Sequence, residues 1–427
     1  MARRKFKFVE MFINPETGAP YEDVGSPKYI TPTCQSFVPF MGHQIAKIVY
    51  EEKKIKNISY KIGKDGKTVK DKEEEITILV EKMGDKGGWI EQTSNLSQEG
   101  DCWVDGNGIV CGNAFIGGNV VVKSGEVGEN AKVIDDAEIN GSVYIGGNAY
   151  VYGKAKISGG GRMAVFGTAR VCGKVEGNAQ VYGNAYVGEE GMVRGNALVY
   201  GNAQVFGVVD GDTVVRDAAT VYGTVKGRAQ IGYDAVILKG GIAQDKAVVE
   251  SGVVAGMVGG ETVISYGQPH VGPQGAVSGK AFVAGNAFIG GAVTGKASLS
   301  GNAAVNDGAT IAGGSLKGNA TIGGASEESN ISGDALVAGR ISGGATITDG
   351  ARVGEGGQAV GGSYLGSANV GGTTSSDVRG NGVVAPKASA TMSLSGNEVY
   401  LDGDDKEPQP TEEDGSPYAV ICKVEKE

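Results

Sequence analysis

The 427-residue chain has few of the side chains that most catalytic and metal sites require. It contains 2 histidines, His43 and His270, and 2 tryptophans, Trp89 and Trp103. Its 5 cysteines show no metal-ligand spacing, which is typical of free thiols in a reducing compartment. The sequence therefore predicts neither a metal site nor a bound cofactor.

Clustered positive charge and long apolar runs are also missing. The formal net charge is -10, which argues against binding nucleic acid or an anionic membrane surface. No apolar run approaches the roughly 18 residues that would span a bilayer. The first residues, MARRKFKFVE, are basic but lack the apolar segment of a secretory signal, so we expect no classical export.

Glycine is abundant, with 75 residues, and it is periodic. The tripeptide Gly-Asn-Ala occurs nine times, always followed by an alternation of variable and apolar residues. The repeating unit has 16 residues: one tetrad, G-x-V-x, followed by two hexads of the form G-N-A-x-V-x, as in 173–188 and 191–206. Such self-similarity is the signature of a stacked repeat architecture.

The spacing within the hexad predicts strands. Alternate residues of a strand face the same side, so positions 3 and 5 (Ala, then Val or Ile) point inward and the variable position 4 points outward. Glycine and asparagine at positions 1 and 2 suit corners, because both tolerate a positive φ. The sequence predicts an all-β fold, a triangular, left-handed parallel β-solenoid over 108–400 with a filled interior.

The 16-residue unit fits most of this region. It also describes 108–123, 125–140, 241–256, 275–290, 291–306, 339–354 and 357–372. Units 314–329 and 382–397 fit less well, and Glu189-Glu190 and Asp307–Gly313 are interpreted as insertions between units.

Outward aromatic residues recur one coil apart. Tyr182 is expected to stack with Tyr200, and Phe206 with Tyr222 and Leu238 on another corner. Such a ladder stabilises stacking by itself. It would also serve as a sugar-binding stripe, and the sequence leaves both interpretations open.

The flanking regions differ in texture from the repeat. Residues 1–86 predict a small β-rich or α+β domain that anchors the protein. Its short strands are expected at Lys5–Phe12, Ile45–Tyr50, Ile58–Ile62 and Ile76–Lys82, with a hairpin turn at 64–67 and a solvated loop over Lys67–Glu75. Residues 401–417 are acidic and proline-rich, as in a linker, and 418–427 contain one strand that pairs within the chain or with a neighbour.

Residues 87–107 predict a cap in which Trp89 and Trp103 cover the open end of the solenoid. The pattern G-G-W-[IV]-E … N-L-S … G-x-C-W-[IV], followed by G-N-A-x-V hexads, resembles hexapeptide-repeat proteins of bacteria and prophages. The match is carried by Gly87, Gly88, Trp89, Ile90, Glu91, Asn95, Leu96, Ser97, Gly100, Cys102, Trp103 and Val104. The resemblance implies a role in a virion or as a phage accessory; it does not cover the first 86 residues.

Enzymes with hexapeptide solenoids suggest one catalytic alternative. A γ-type carbonic anhydrase needs three histidines, which this chain lacks. An acyltransferase needs one histidine as general base, and His270, in the irregular segment 268–273, is the candidate. The glycine- and valine-rich coils also resemble bactofilins, which form cytoskeletal polymers, and this is a third hypothesis.

The sequence favours a non-enzymatic structural or adhesive rod. We expect a phage virion component, a fibre or a capsid or tail decoration protein, attached through its N-terminal domain. Its partners would be copies of itself, with trimers expected, the virion or another large assembly, and a surface glycan. We expect it in the virion or the bacterial cytoplasm.

Overall fold

The computed structural model describes residues 6–8, 43–62, 68–323, 329–375, 377–380, 383–384, 389–390 and 399–400. Over these residues the protein is all-β, with one short 3-10 turn at Thr93–Asn95 and no α-helix. Three parallel sheets form a β-solenoid of about 17 turns, preceded by an antiparallel region. The predicted fold class is confirmed, whereas the left-handed coil stays a prediction.

By spatial compactness the chain divides into two units, Met1–Cys172 and Gly173–Glu427. The strands of the first unit are β1 (Phe6–Phe8), β2 (His43–Ile62), β3 (Thr68–Ile90), β4 (Trp103–Val110), β5 (Phe115–Ile116), β6 (Val121–Val127), β7 (Lys132–Val133), β8 (Glu138–Ile145), β9 (Tyr150–Val151), β10 (Lys156–Val165) and β11 (Arg170–Val171).

In the second unit each coil contributes one short strand to each of three sheets. The first sheet holds β12 (Lys174–Glu176), β15 (Met192–Val193), β18 (Val208–Val209), β21 (Thr224–Val225), β24 (Ile242–Ala243), β27 (Met257–Val258), β30 (Ala276–Val277), β33 (Ala292–Val293), β36 (Thr310–Ile311), β39 (Asn330–Ile331), β42 (Thr346–Ile347) and β45 (Ser363–Tyr364). The second sheet holds β13 (Gln180–Val181), β16 (Leu198–Val199), β19 (Val214–Val215), β22 (Gln230–Ile231), β25 (Val248–Val249), β28 (Val263–Gly267), β31 (Phe282–Gly285), β34 (Ser298–Leu299), β37 (Ser315–Leu316), β40 (Leu336–Val337), β43 (Arg352–Val353), β46 (Asn369–Val370), β48 (Val383–Val384) and β50 (Val399–Tyr400). The third sheet holds β14 (Tyr186–Val187), β17 (Gln204–Val205), β20 (Thr220–Val221), β23 (Val236–Ile237), β26 (Val253–Val254), β29 (His270–Val271), β32 (Phe288–Ile289), β35 (Ala304–Val305), β38 (Thr321–Ile322), β41 (Arg340–Ser342), β44 (Gln358–Val360), β47 (Thr373–Thr374) and β49 (Ser389–Ala390).

The register follows the sequence repeat. Leu198 pairs with Val214, and Val214 pairs with Gln230, a step of 16 residues each time. Gln180 pairs with Leu198, a step of 18, because the exposed residues Glu189 and Glu190 lengthen one corner. Insertions of this kind bring the mean coil to about 17 residues instead of the predicted 16.

The interior is filled by the small apolar residues of hexad positions 3 and 5. Ala197, Val199, Ala203 and Val205 are all fully buried, and the same holds around successive coils. Along the described coils this close packing leaves no lumen, so each of them is held by its own inward residues and by the backbone ladder to the next coil.

The repeat was interpreted wrongly at Asp307–Gly313 and in unit 357–372. Asp307–Gly313 is not an insertion: residues 307–312 form a full hexad side, with Ala309 and Ile311 buried and Ile311 paired with Val293. In 357–372 the 16-residue frame places Tyr364 outward, yet Tyr364 is fully buried. In both places one side of the coil has a different length, so the pattern of inward-facing residues shifts although the composition stays the same.

Asparagine ladders follow the corners. The side-chain amides of Asn178 and Asn196 are 3.1 Å apart, those of Asn184 and Asn202 3.1 Å, and those of Asn302 and Asn319 3.0 Å. None of the described asparagines has a positive φ, so the predicted conformational role was wrong. Asparagine is used at position 2 because its amide bonds to the next coil.

The N-terminal antiparallel region is a long ribbon. β2 and β3 pair from His43–Ile90 to Ile62–Thr68, and β1 pairs with β2. The strands predicted at Ile45–Tyr50, Ile58–Ile62 and Ile76–Lys82 are parts of two long strands, and of the strand predicted at Lys5–Phe12 the described residues 6–8 form β1. The loop predicted over Lys67–Glu75 was wrong because residues 68–75 belong to β3. The predicted turn at 64–67, the linker 401–417 and the terminal strand 418–427 lie outside the described residues.

Candidate functional site

One corner of the second unit departs from the regular repeat. It is the corner where the chain passes from the second sheet to the third. At this corner Gly201 has a φ of +73°, and the equivalent residues of the next two coils are Asp217, at +59°, and Tyr233, at +46°. Tyr266, at +57°, is a second tyrosine in this left-handed conformation. A bulky residue rarely adopts a positive φ, so two tyrosines at such positions call for an explanation.

The corner changes length from coil to coil. The buried residues that flank it are six positions apart in Val215–Val221 and Ile231–Ile237, five apart in Val249–Val254, and seven apart in Ile264–Val271. The short corner at 250–252 therefore lies between a regular coil and a protruding one. This loss and gain of one residue creates a groove, which we call the corner groove.

The corner groove has a volume of about 830 Å³ and is lined by Asn202, Asp217, Ala218, Tyr233, Asp234, Glu250, Ser251, Tyr266 and Gly267. Tyr266 is 76% exposed and Tyr233 is 57% exposed, more than the other large apolar or aromatic residues described as exposed. The groove thus offers two aromatic side chains beside carboxylate, amide and hydroxyl groups.

Arg216 organises the charges around the groove. Its Nη1 lies 2.6 Å from Oδ2 of Asp217, its Nη2 3.7 Å from Oε1 of Glu250, and its guanidinium carbon 5.3 Å from the centre of the Tyr233 ring. The remaining carboxylate, Asp234, accepts a hydrogen bond of 3.0 Å from Nε2 of Gln268. The carboxylates are consequently oriented, and their charge is partly compensated.

Ser251 sits on the short corner. Ser251 is 8% exposed, and its Oγ has no hydrogen-bond partner among the described groups. An unpaired buried hydroxyl is unfavourable by roughly 1–3 kcal/mol. A ligand in the groove would give this hydroxyl a partner after a rotation about χ1.

The predicted cap residues lie at the first parallel turn. Trp89 and Ile90 pair on one side with Ile109 and Val110 of β4, and on the other side with Gln44 and His43 of β2. The antiparallel ribbon therefore covers the edge that the first coil would otherwise expose. Trp103 is buried, and the ammonium group of Lys47 lies 5.0 Å from the centre of its ring.

Asn95 has a structural role that explains the N-L-S segment. Its fully buried side chain donates to the carbonyl oxygens of Gly112 (3.0 Å) and Ala114 (2.8 Å) and accepts from the amide of Gln92 (2.8 Å). Glu91 Oε2 accepts from the amide of Gly112 at 2.6 Å. These contacts bind the entry segment to the edge of the coil that follows.

The predicted aromatic neighbours do meet. Tyr182 and Tyr200 stack with their ring centres 5.0 Å apart and an interplanar angle of 7°, and Phe206 and Tyr222 stack at 5.0 Å and 8°. Tyr186 joins Phe206 edge-on at 5.6 Å. None of these residues lines the corner groove, so the ladder and the groove are separate surfaces.

His270 lies on β29, at the end of the lengthened corner between Ile264 and Val271; the predicted irregularity is present, but the prediction of a loop at His270 was wrong. It is the outward residue of β29, paired with Val253 and Phe288. Its ring stacks on Phe288 with the centres 5.7 Å apart and an interplanar angle of 6°. This parallel stacking of His270 on Phe288 is the geometry of the outward aromatic ladders.

Sequence reasoning missed Tyr233, Ser251 and Tyr266. One signal was present: tyrosine replaces glycine at position 1 of the hexad YDAVIL, 233–238. The second signal, the lengths of the following corners, is not visible when 241–256 is described as a 16-residue unit. That frame points Val253 and Ala255 inward, whereas Val254 is the buried residue.

A separate polar cluster lies in the first unit, around Cys111, Glu126, Glu129 and Tyr144. Cys111 Sγ lies 3.7 Å from Oε1 of Glu126, and the Tyr144 hydroxyl donates to Glu129 at 2.8 Å. Burial, with Glu126 nearby, raises the pKa of the Cys111 thiol to about 12. Burial is also the main cause that raises the pKa of Glu126 above its usual range. A thiol held this firmly in its neutral form is a poor nucleophile.

Glu126→Gln is expected to stabilise the protein at pH 7 and to have less effect at pH 4. Because the folded state raises the pKa of Glu126, its contribution to stability is full below the pKa of the unfolded state, roughly 4.3, and is lost as pH rises through the folded value. Urea midpoints at the two pH values measure this. The exposed Glu99→Gln serves as control, and equal shifts at both pH values would contradict the expectation.

The described residues contain no helix that is long and apolar enough to cross a membrane. Within the same residues, no group of three or more His, Cys, Asp and Glu side chains is placed to hold a metal ion. No protein-family model matches the chain, and no curated protein matches it.

Proposed function

We propose that the protein is a non-enzymatic structural and adhesive component of a phage virion. In this role the N-terminal region attaches the protein to the particle and the solenoid presents a binding surface. The proposal rests on one observation, the location of the polar and aromatic groups on the coils. Most inward positions hold Ala, Val or Ile, with few exceptions such as Tyr364 and Thr213, whereas the corner groove and the aromatic ladders lie outward. Partner contacts would therefore be made on the outside of the coils.

The ribbon supports attachment through the N-terminal region. Four consecutive residues of β2, 51–54, are exposed, so both faces of the ribbon are open to solvent there. A two-stranded ribbon is only marginally stable in water by itself. A ribbon of this length is consistent with a partner that packs against it in the assembled particle, where copies of the chain would associate, as trimers in our proposal.

The test is co-purification with phage particles and immunogold electron microscopy. We expect the protein to band with virions and to be labelled at one fixed position. Lys53→Glu with Lys54→Glu should lower the amount per virion, since it changes the charge of the exposed ribbon. Lys239→Glu with Lys296→Glu, two exposed lysines of the second unit, should leave it unchanged. Recovery of the protein only as a soluble species, absent from particles, would overturn the proposal.

A further inference from the structure

We infer that the corner groove is a carbohydrate-binding site that takes a neutral, hydroxyl-rich oligosaccharide. The inference deepens the adhesive role proposed above and rests on it for its biological meaning, but its chemistry is carried by the groove alone. Four features support it: two strained tyrosines, the oriented carboxylates, a buried hydroxyl without a partner, and a corner whose length changes.

The tyrosines occupy positions where folding favours a different residue. In the neighbouring coil Asp217 occupies the position of Tyr233, and its Oδ2 accepts a hydrogen bond of 3.2 Å from the backbone amide of Tyr233. At the corner between the first and second sheets, Asp245 likewise accepts a hydrogen bond from the amide of Gly260, at 3.0 Å. Tyr233 offers no such carboxylate and has a strained φ, and its ring instead lies 5.3 Å from the guanidinium carbon of Arg216. Strain of this kind is characteristic of functional sites.

The groups around the tyrosines suit a ligand with many hydroxyls. Tyrosine rings pack against the apolar faces of sugar rings, while carboxylate and amide oxygens accept hydrogen bonds from hydroxyls. Asp217 and Glu250 are paired with Arg216, and Asp234 with Gln268, so they act as fixed acceptors. Arg216 offsets one of the three carboxylate charges, and the fixed carboxylate oxygens suit the hydroxyl groups of an uncharged polyol.

The dimensions agree with this class of ligand. A volume of about 830 Å³ falls within the roughly 300–1,000 Å³ of small-molecule sites and has room for more than one sugar ring. Tyr233 and Tyr266 lie on opposite sides of the short corner, two coils apart, at roughly 10 Å by the usual strand spacing. Two platforms at that separation suit two rings of one sugar chain better than a single ring.

The experiment applies the full chain to a printed array of bacterial surface oligosaccharides, and then measures the best binder by isothermal titration calorimetry. Tyr266→Gly and Tyr233→Gly are the test variants. Each should lower the affinity by roughly tenfold or more, as expected for an aromatic anchor. Each should also raise the urea midpoint, because glycine suits the positive φ. Loss of binding with a gain in stability is an outcome that misfolding cannot produce.

Tyr222→Ala is the matched control, since Tyr222 is exposed (47%) but belongs to the aromatic ladder and not to the groove. Its affinity should stay within about twofold of the wild type. Failure of every arrayed sugar to bind, equal loss with Tyr222→Ala, or Tyr266-dependent binding of oligolysine instead of sugars would overturn the inference. None of these outcomes affects the virion test, because particle incorporation is measured without any glycan.

Discussion

Gly223→Ala is expected to destabilise the second unit by about 3 kcal/mol, because it places a methyl group against backbone that cannot move away. A Cβ at this position would lie 2.2 Å from the carbonyl oxygen of Gly241 and 2.4 Å from that of Leu238. Gly223 has no positive φ, so its backbone conformation would tolerate alanine. The cost arises solely from the close approach of successive coils at this corner.

Gly354→Ala is the matched control for this prediction. Its Cβ would meet the carbonyl oxygen of Val370 at 3.7 Å, an ordinary contact, and its φ is not positive. Urea unfolding followed by circular dichroism measures both variants. Hydrogen exchange locates the change, which should centre on the coils around residues 223–241, since repeats contact mainly their neighbours. Similar midpoints for the two variants would show that the corner can relax.

Tyr364→Ala should destabilise the protein by about 3–5 kcal/mol, the range for removal of a buried aromatic side chain. Tyr364 is fully buried, and its hydroxyl donates to the carbonyl oxygen of Thr374 at 3.1 Å. It stands on a side that is one residue short: the buried residues Ala359, Tyr364 and Val370 are five and six positions apart. The side lacks its inward alanine, and the large ring fills that volume.

Tyr364→Phe separates the contribution of the buried ring volume from that of the hydroxyl hydrogen bond. It keeps the ring and removes one donor, so we expect a loss of about 1 kcal/mol. Tyr364→Val restores the residue type of other coils but leaves the missing alanine uncompensated, and it should resemble Tyr364→Ala more than Tyr364→Phe. A Val variant as stable as the wild type would refute the filling explanation. Thermal and urea unfolding measure all three variants.

The fold was accessible from sequence because its determinants are local and periodic. In each regular hexad two inward residues, such as Ala197 and Val199, alternate with outward ones, and that alternation alone fixes which face is buried. The errors occurred where a side gains or loses a residue, as at Val254 and Tyr364. Composition stays glycine- and valine-rich there, whereas the pattern of inward-facing residues shifts with the length of the side.

The candidate site was less accessible for the same reason. The corner groove exists because a five-residue side is followed by a seven-residue side, and neither carries a motif. Tyr182 and Tyr200 were found because equal spacing brings them into register. Ser251 and Tyr266 are brought together by unequal spacing, which a search for regularity discards. The N-terminal strands were underestimated because charged residues such as those of 72–75 resemble a loop when their cross-strand partners are unknown.

The asparagine ladders have a direction. In each pair the Nδ2 belongs to the earlier coil and the Oδ1 to the later one, as from Asn113 to Asn130 and from Asn130 to Asn148. An aspartate at this position accepts but cannot donate, so it ends a run: Asn196 donates to Asp212, and Asn119 donates to Asp136. Aspartate at hexad position 2 thus marks the end of an asparagine ladder. In related repeats, it would indicate from sequence alone where one polarised chain of amides stops.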